Sequence, residues 1–65
     1  MSLAELYLPA ATEKILVNHG FDLPKLCHCD NDDLRQIRLG KRSIQYIYDR
    51  LTETGLNHNL KTYLK

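Results

Sequence analysis

The sequence predicts an all-α domain, a compact unit of four to five helices containing a helix-hairpin-helix, and three observations carry that expectation. Apolar residues recur at helical spacing, most clearly Leu34 with Ile37 and then Ile44, Ile47, Tyr48 and Leu51, which is the period of amphipathic helices. No repeat, low-complexity tract or strand-like alternation of apolar and polar residues interrupts them. Proline, glycine and aspartate punctuate the chain at short intervals, as helices joined by tight loops require.

Each element follows from local chemistry. Ser2 and Glu5 form a capping-box pattern for a short N-terminal turn carrying Leu3 and Leu6, and Tyr7-Leu8 leads into Pro9. Proline suits the first position of a helix, whose N–H has no intrahelical partner. The first helix is therefore expected over residues 9–19, with Thr12, Ile15 and Leu16 facing inward and Gly20 in the left-handed stop position. Pro24 starts a second, very short helix bearing Leu23 and Leu26, with Asp22 as its local cap. Asp30 is the N-cap of a third helix, Asp33 its reciprocal partner, and Leu34 and Ile37 its buried side. The fourth and longest helix spans residues 41–54 and is closed by Gly55. The last ten residues hold Leu56, Leu60, Tyr63 and Leu64, and form either a short docking turn or a frayed end. The predicted core is Leu8, Ile15, Leu16, Phe21, Leu26, Leu34, Ile37, Leu39, Ile44, Ile47, Tyr48 and Leu51, with Tyr46 exposed.

Sixty-five residues make one domain, 1–65, and a chain of that size buries only about 60% of its unfolded surface, leaving no room for a deep substrate cleft. Nine Lys and Arg stand against eight Asp and Glu, a balance that does not by itself announce a nucleic-acid binder. Distribution says more. Arg35, Arg38, Lys41 and Arg42 lie within eight residues free of acid, just after the cluster Asp30, Asp32 and Asp33. The apolar runs are too short for a transmembrane helix and the N-terminus lacks signal-peptide features, so a cytoplasmic protein without membrane partners is expected. His19, His28 and His58 have no neighbouring nucleophile in sequence, and no enzymatic role, small-molecule substrate or cofactor is expected.

Cys27, His28 and Cys29, with His19, are the candidate metal ligands. Structural zinc calls for two to four residues between paired cysteines and a second ligand pair elsewhere, which this spacing does not supply. No metal is expected; one cysteine is read as a small buried residue and the other as lying at the edge of the short helix.

The functional signal lies in LRQIRLGKRSIQYIYDRL, residues 34–51. Gly40 is expected to supply a positive φ or a close backbone approach that a Cβ would block. Lys41, Arg42 and Ser43 then occupy the first turn of the last helix, whose amides lack intrahelical partners and favour an anion. Bases at a helix start oppose the macrodipole, at a cost of a few tenths of a kcal/mol, and so point to function over stability. Phosphate is the obvious ligand; the plainer alternative is a solvated basic turn with no particular partner.

The ordered set L-x-L (Leu6 to Leu8), a helix ending in HGF, DL, DNDDL, LGKRSI and the closing L-x-x-x-GL (Leu51 to Leu56) resembles the C-terminal domain of the bacterial RNA polymerase alpha subunit. The resemblance covers about residues 6–56, leaving 57–65 as a C-terminal tail, and LGKRS is its most specific piece. It implies a free-standing relative that docks on DNA through the helix-hairpin-helix and contacts transcription proteins. Gly40, Lys41 and Ser43 match the family's hairpin, and Arg42 replaces another basic residue. Ala11 stands where the family presents an arginine to the minor groove, and Lys14 stands where an asparagine is usual. Alanine offers nothing to the negative potential of a narrow groove, so the implied contact is weak and directed at the DNA backbone, through Lys14, Arg38, Gly40, Lys41, Arg42 and Ser43. A second expectation keeps the fold but binds polymerase, sigma factor or a regulator through Tyr46, Arg50 and the acidic edge from Asp30 to Asp33. A sterile alpha motif domain ranks third, because its LGI-x-x-x-G pattern lacks a second glycine here.

Overall fold

The computed structural model describes residues 3–63 and, among them, contains helices and no strand. A 3₁₀ turn, Leu3–Leu6, is followed by α1 (Ala10–Asn18), α2 (Leu23–His28), α3 (Asn31–Gln36) and α4 (Lys41–Glu53). Ser2 lies outside the described residues, so the expected N-terminal capping box is not part of this description.

The helix starts follow the sequence closely. Pro9 is the N-cap of α1, one place before the helical position expected for it. Asp22 accepts the Lys25 amide at 2.8 Å to cap α2. Asp30 and Asp33 form the reciprocal box of α3: Asp30 accepts the Asp33 amide at 2.9 Å and Asp33 accepts the Asp30 amide at 3.1 Å. Together these bonds satisfy amides that a six-residue helix could not otherwise pair.

Three of the helices end in the same way. In each, a residue in the left-handed region sits just past the C-cap, and the next residue sends its amide back into the last turn, the Schellman arrangement. For α1 the bonds are Gly20 N–H to Val17 O and Phe21 N–H to Leu16 O; for α4 they are Gly55 N–H to Thr52 O and Leu56 N–H to Leu51 O. The end of α3 uses Arg38 N–H to Arg35 O and Leu39 N–H to Leu34 O. In each motif the returning amide belongs to an apolar residue and the carbonyl to a buried leucine: Phe21 to Leu16, Leu39 to Leu34, Leu56 to Leu51.

That third motif corrects the expectation for Gly40. The left-handed residue between α3 and α4 is Arg38, with φ of 71°, because the reversal must fall two residues past the end of α3 to bring the Leu39 amide onto Leu34. Gly40 has φ of −80° and ψ of 171°, extended backbone open to any residue, and a Cβ there would meet nothing within 4 Å.

The core is built on α4. Ile44, Ile47 and Leu51 are wholly buried and meet Leu6, Leu16, Leu26 and Leu34, while α3 and the 3₁₀ turn pack directly on α4. Ile15, Phe21, Ile37 and Tyr48, expected as core, are only partly buried. Leu3, Leu6, Leu23 and Leu60 belong to the core without having been expected there, and Cys29 is the buried one of the two cysteines.

Leu60 is buried because residues 56–63, although not helical, are strapped across the domain. Asn31 and Lys61 exchange two bonds of 2.8 Å each. The Asn59 amide donates to Cys27 O at 3.2 Å, and its side chain donates to His28 O at 3.2 Å. Gln45 accepts from the Tyr63 amide at 2.6 Å and from the Thr62 hydroxyl at 3.0 Å. Of the two expectations for this segment, docking is the one observed; Leu64 lies outside the described residues.

A non-glycine residue in the left-handed region costs roughly 1–2 kcal/mol, offset in part by the greater unfolded-state entropy of glycine. Arg38→Gly is therefore expected to leave thermal stability unchanged or raise it by up to about 1 kcal/mol, whereas Gly20→Ala and Gly55→Ala should lower it by about 1 kcal/mol or more. Thermal melts of the three variants check this, and a marked loss in Arg38→Gly would show that the arginine side chain supports the fold.

Candidate nucleic-acid interface

The site expected from sequence centres on the entry to α4. Gly40 is its N-cap and contributes no side-chain bond, and no acid lies in the first turn. Only the Ile44 amide is drawn back, to Gly40 O at 3.0 Å, so the amides of Lys41, Arg42 and Ser43 are left without intrahelical partners. The contrast within the molecule is sharp: α2 and α3 each begin on an aspartate cap, while the longest helix begins on glycine and two cations.

Arg38, Gly40, Lys41 and Arg42 are exposed and Ser43 is half-buried. These five lie within six residues of chain, 38–43. Arg38 and Arg42 have no carboxylate partner among the described residues, and Ser43 makes no side-chain hydrogen bond there, so neither charge nor hydroxyl is committed to the fold. Lys41 places its ammonium 5.8 Å from the centre of the Tyr63 ring, within reach of a weak cation–π attraction. Lys14 is exposed on α1 and shares no hydrogen bond with the other five.

On the protein-contact surface also expected from sequence, Arg50 is already engaged. Its Nε donates to Leu6 O at 2.8 Å and its Nη1 pairs with Glu53 at 2.6 Å, with the guanidinium 5.9 Å from the Tyr7 ring. Arg50 fastens the N-terminal turn to α4 and is not a free contact. Asp30 and Asp33 serve the α3 cap. Tyr46 is exposed as expected, and Tyr48 packs edge-on against His58 with ring centres 5.0 Å apart.

Tyr7 was missed. It is 76% exposed and left-handed, with φ of 52°, between the buried Leu6 and Leu8. An aromatic residue flanked by two inward leucines was the available signal, since strand or helix spacing cannot bury all three.

The histidines and cysteines are placed by structure. His28 Nδ1 donates to Pro24 O at 2.8 Å. His58 Nδ1 accepts the Leu60 amide at 3.2 Å, which leaves Nε2 to donate to the Thr52 hydroxyl at 3.0 Å. Cys29 is buried and donates to Leu26 O at 3.1 Å, while Cys27 lies at the edge of the core. Among the described residues no three His, Cys, Asp or Glu side chains gather as a metal site. Burial pushes the Cys29 thiol up to about 11, with the nearby charges of Asp33 and Asp30 adding to the effect, and burial raises Cys27 as well. Two surface depressions of about 330 and 300 Å³ lie elsewhere, the first between α3 and the strap and the second between the 3₁₀ turn and the end of α1.

Set against known protein families, curated proteins and solved structures, the chain matches none of them.

A thiol whose pKa is raised on folding stabilises the folded state fully below its ordinary value of 9.0, and that contribution is lost as pH climbs through the folded value near 11. Cys29 should therefore resist alkylation at neutral pH until the domain is unfolded. Stability should fall between pH 9 and 11, and Cys29→Ala should flatten that decline. Rapid labelling of Cys29 in the folded domain would contradict the assignment.

Proposed function

We propose that this domain is a non-catalytic, cytoplasmic, transcription-associated module that holds nucleic-acid backbone at the connection between α3 and α4, a helix-hairpin-helix of the kind in the RNA polymerase alpha C-terminal domain that its sequence resembles. The observation that carries the proposal is the uncapped start of α4. Three consecutive amides, the Ser43 hydroxyl and the cations Arg38, Lys41 and Arg42 all lie at or beside this helix entry, with no acid in the helix's first turn. A phosphate oxygen there would meet both the unpaired amides and the positive end of the helix dipole.

Arg38 adds to the case. It holds a left-handed backbone that glycine would hold at lower cost, and its side chain is exposed with no carboxylate partner among the described residues. An exposed, unpaired cation kept where glycine would cost less favours a role for the side chain outside the fold. With two to four phosphates neutralised, duplex affinity falls in the non-specific range of roughly 10⁻⁴ to 10⁻⁶ M, with a log–log salt slope of about −2 to −4.

Gly40 offers a test that separates function from stability. Gly40→Asp places an acceptor at the N-cap in backbone geometry that suits it, and should stabilise α4 by about 0.5–1 kcal/mol. The same carboxylate should repel phosphate and lower affinity for duplex DNA at least tenfold. Lys41→Ala combined with Arg42→Ala should abolish binding with the helical circular dichroism intact. Undiminished binding by either variant would remove the α4 entry as the contact surface. An unmodified domain that fails to bind DNA at low salt would leave a protein partner as the function.

A further inference from the structure

We propose that the nucleic acid held at this surface is single-stranded, with its bases stacked on Tyr7 and Tyr46 while Arg42 and Lys41 hold its phosphates. The inference rests on the phosphate reading above and adds to it the class of partner.

Arg42, Tyr46 and Arg50 are spaced four residues apart on α4 and so rise from one stripe of its surface. At the far end of that stripe Arg50 grips Leu6 O and lies 5.9 Å from the Tyr7 ring. In the middle, the Tyr46 hydroxyl reaches the Tyr7 backbone carbonyl at 3.5 Å, a long bond that brings the tip of the Tyr46 ring to the turn that carries Tyr7. Tyr7 is 76% exposed and Tyr46 43%. The turn that carries Leu6 and Leu8 inward leaves Tyr7 outside, in a backbone conformation for which Asn or Gly would be the inexpensive choice. The Arg50 guanidinium lies beside the ring, and most of the residue's surface remains open to solvent.

The charge along α4 and the connection before it selects the partner. No acid occurs in residues 34–48. The first acids beyond are held locally: Asp49 accepts from Gln45 at 3.0 Å, and Glu53 is paired with Arg50. Arg42 therefore stands one helical turn from an exposed ring with no carboxylate partner among the described residues. On the other flank of α4, Lys41 has the Tyr63 ring beside it. Cations interleaved with exposed aromatic rings form the surface on which a single strand lays its backbone and stacks its bases, largely without regard to sequence. A duplex keeps its base faces stacked inside and can use the cations alone, so the rings favour the single strand.

The chain has four tyrosines and no tryptophan, so its intrinsic emission reports on these rings. Oligothymidylate should quench that emission and bind more tightly than a duplex of the same length. Tyr7→Ala and Tyr46→Ala should each weaken single-strand binding by roughly tenfold and leave duplex binding unchanged. Tyr7→Phe and Tyr46→Phe, which keep the rings, should retain it. If the alanine variants lose their helical circular dichroism, the phenylalanine variants and the quenching contrast in the unmodified domain decide the matter. Equal affinity for both forms, with tyrosine variants indifferent and the Lys41→Ala, Arg42→Ala double variant defective, would overturn the single-strand inference and leave the phosphate reading standing. Binding of neither oligonucleotide at low salt would overturn both.

Discussion

Burial of one stripe of α4 is the interaction on which the rest of the molecule depends. A helix of thirteen residues is marginal in water, and this one carries β-branched Ile44 and Ile47 and aromatic Tyr46 and Tyr48, which add little intrinsic helicity. It forms because Ile44, Ile47 and Leu51 are removed wholly from water, at about 1.5–3 kcal/mol for each side chain. The other elements are fixed to the same helix from several sides. Arg50 binds the 3₁₀ turn, Gln45 binds the strap through the Tyr63 amide and the Thr62 hydroxyl, and α3 packs against it. A domain this small has no second core to fall back on.

The short helices survive for a different reason, which is that their ends are closed. A six-residue helix leaves most of its amides and carbonyls unpaired by its own turns. Here Asp22, Asp30 and Asp33 serve the starts of α2 and α3, and Schellman closures serve the ends of α1, α3 and α4. Seen against that economy, the open start of α4 stands out. The longest helix can tolerate unpaired first-turn amides in solvent because its stability comes from the buried stripe, and so it is the element that has amides to spare for a ligand.

Legibility in the sequence follows the range of the interaction. The Asp22 and Asp30–Asp33 caps and the stops at Gly20 and Gly55 are made within a few residues, and residue type nearly determines them. The left-handed position between α3 and α4 was assigned to Gly40 because glycine is the usual occupant. The structure puts it at Arg38, where the Leu39 amide must return to Leu34, and that depends on which leucines face the core. The strap was ambiguous because Leu60 is held down by pairs such as Asn31 with Lys61 and Asn59 with Cys27, separated by some thirty residues and without local pattern. At the candidate site the cations were legible as a run free of acid. The engagement of Arg50 by Leu6 O and the exposure of Tyr7 were not, since both arise only when the N-terminal turn meets α4.

The exposed side of α4 is thereby divided between two neighbours drawn from opposite parts of the sequence. Lys41 and Gln45 face the strap and meet Tyr63; Tyr46 and Arg50 meet Tyr7 of the N-terminal turn, and Arg42 lies on their stripe of the helix. The two cations at the helix entry thus diverge, each toward a flank that carries an aromatic ring. Arg50 cannot be exchanged without loosening the turn that positions Tyr7, and Gln45 cannot be exchanged without loosening the strap that positions Tyr63. The bonds that hold the fold together around α4 are therefore the same bonds that set the rings beside the charges, so the surface chemistry at the entry to α4 is a consequence of folding and exists nowhere in the unfolded chain.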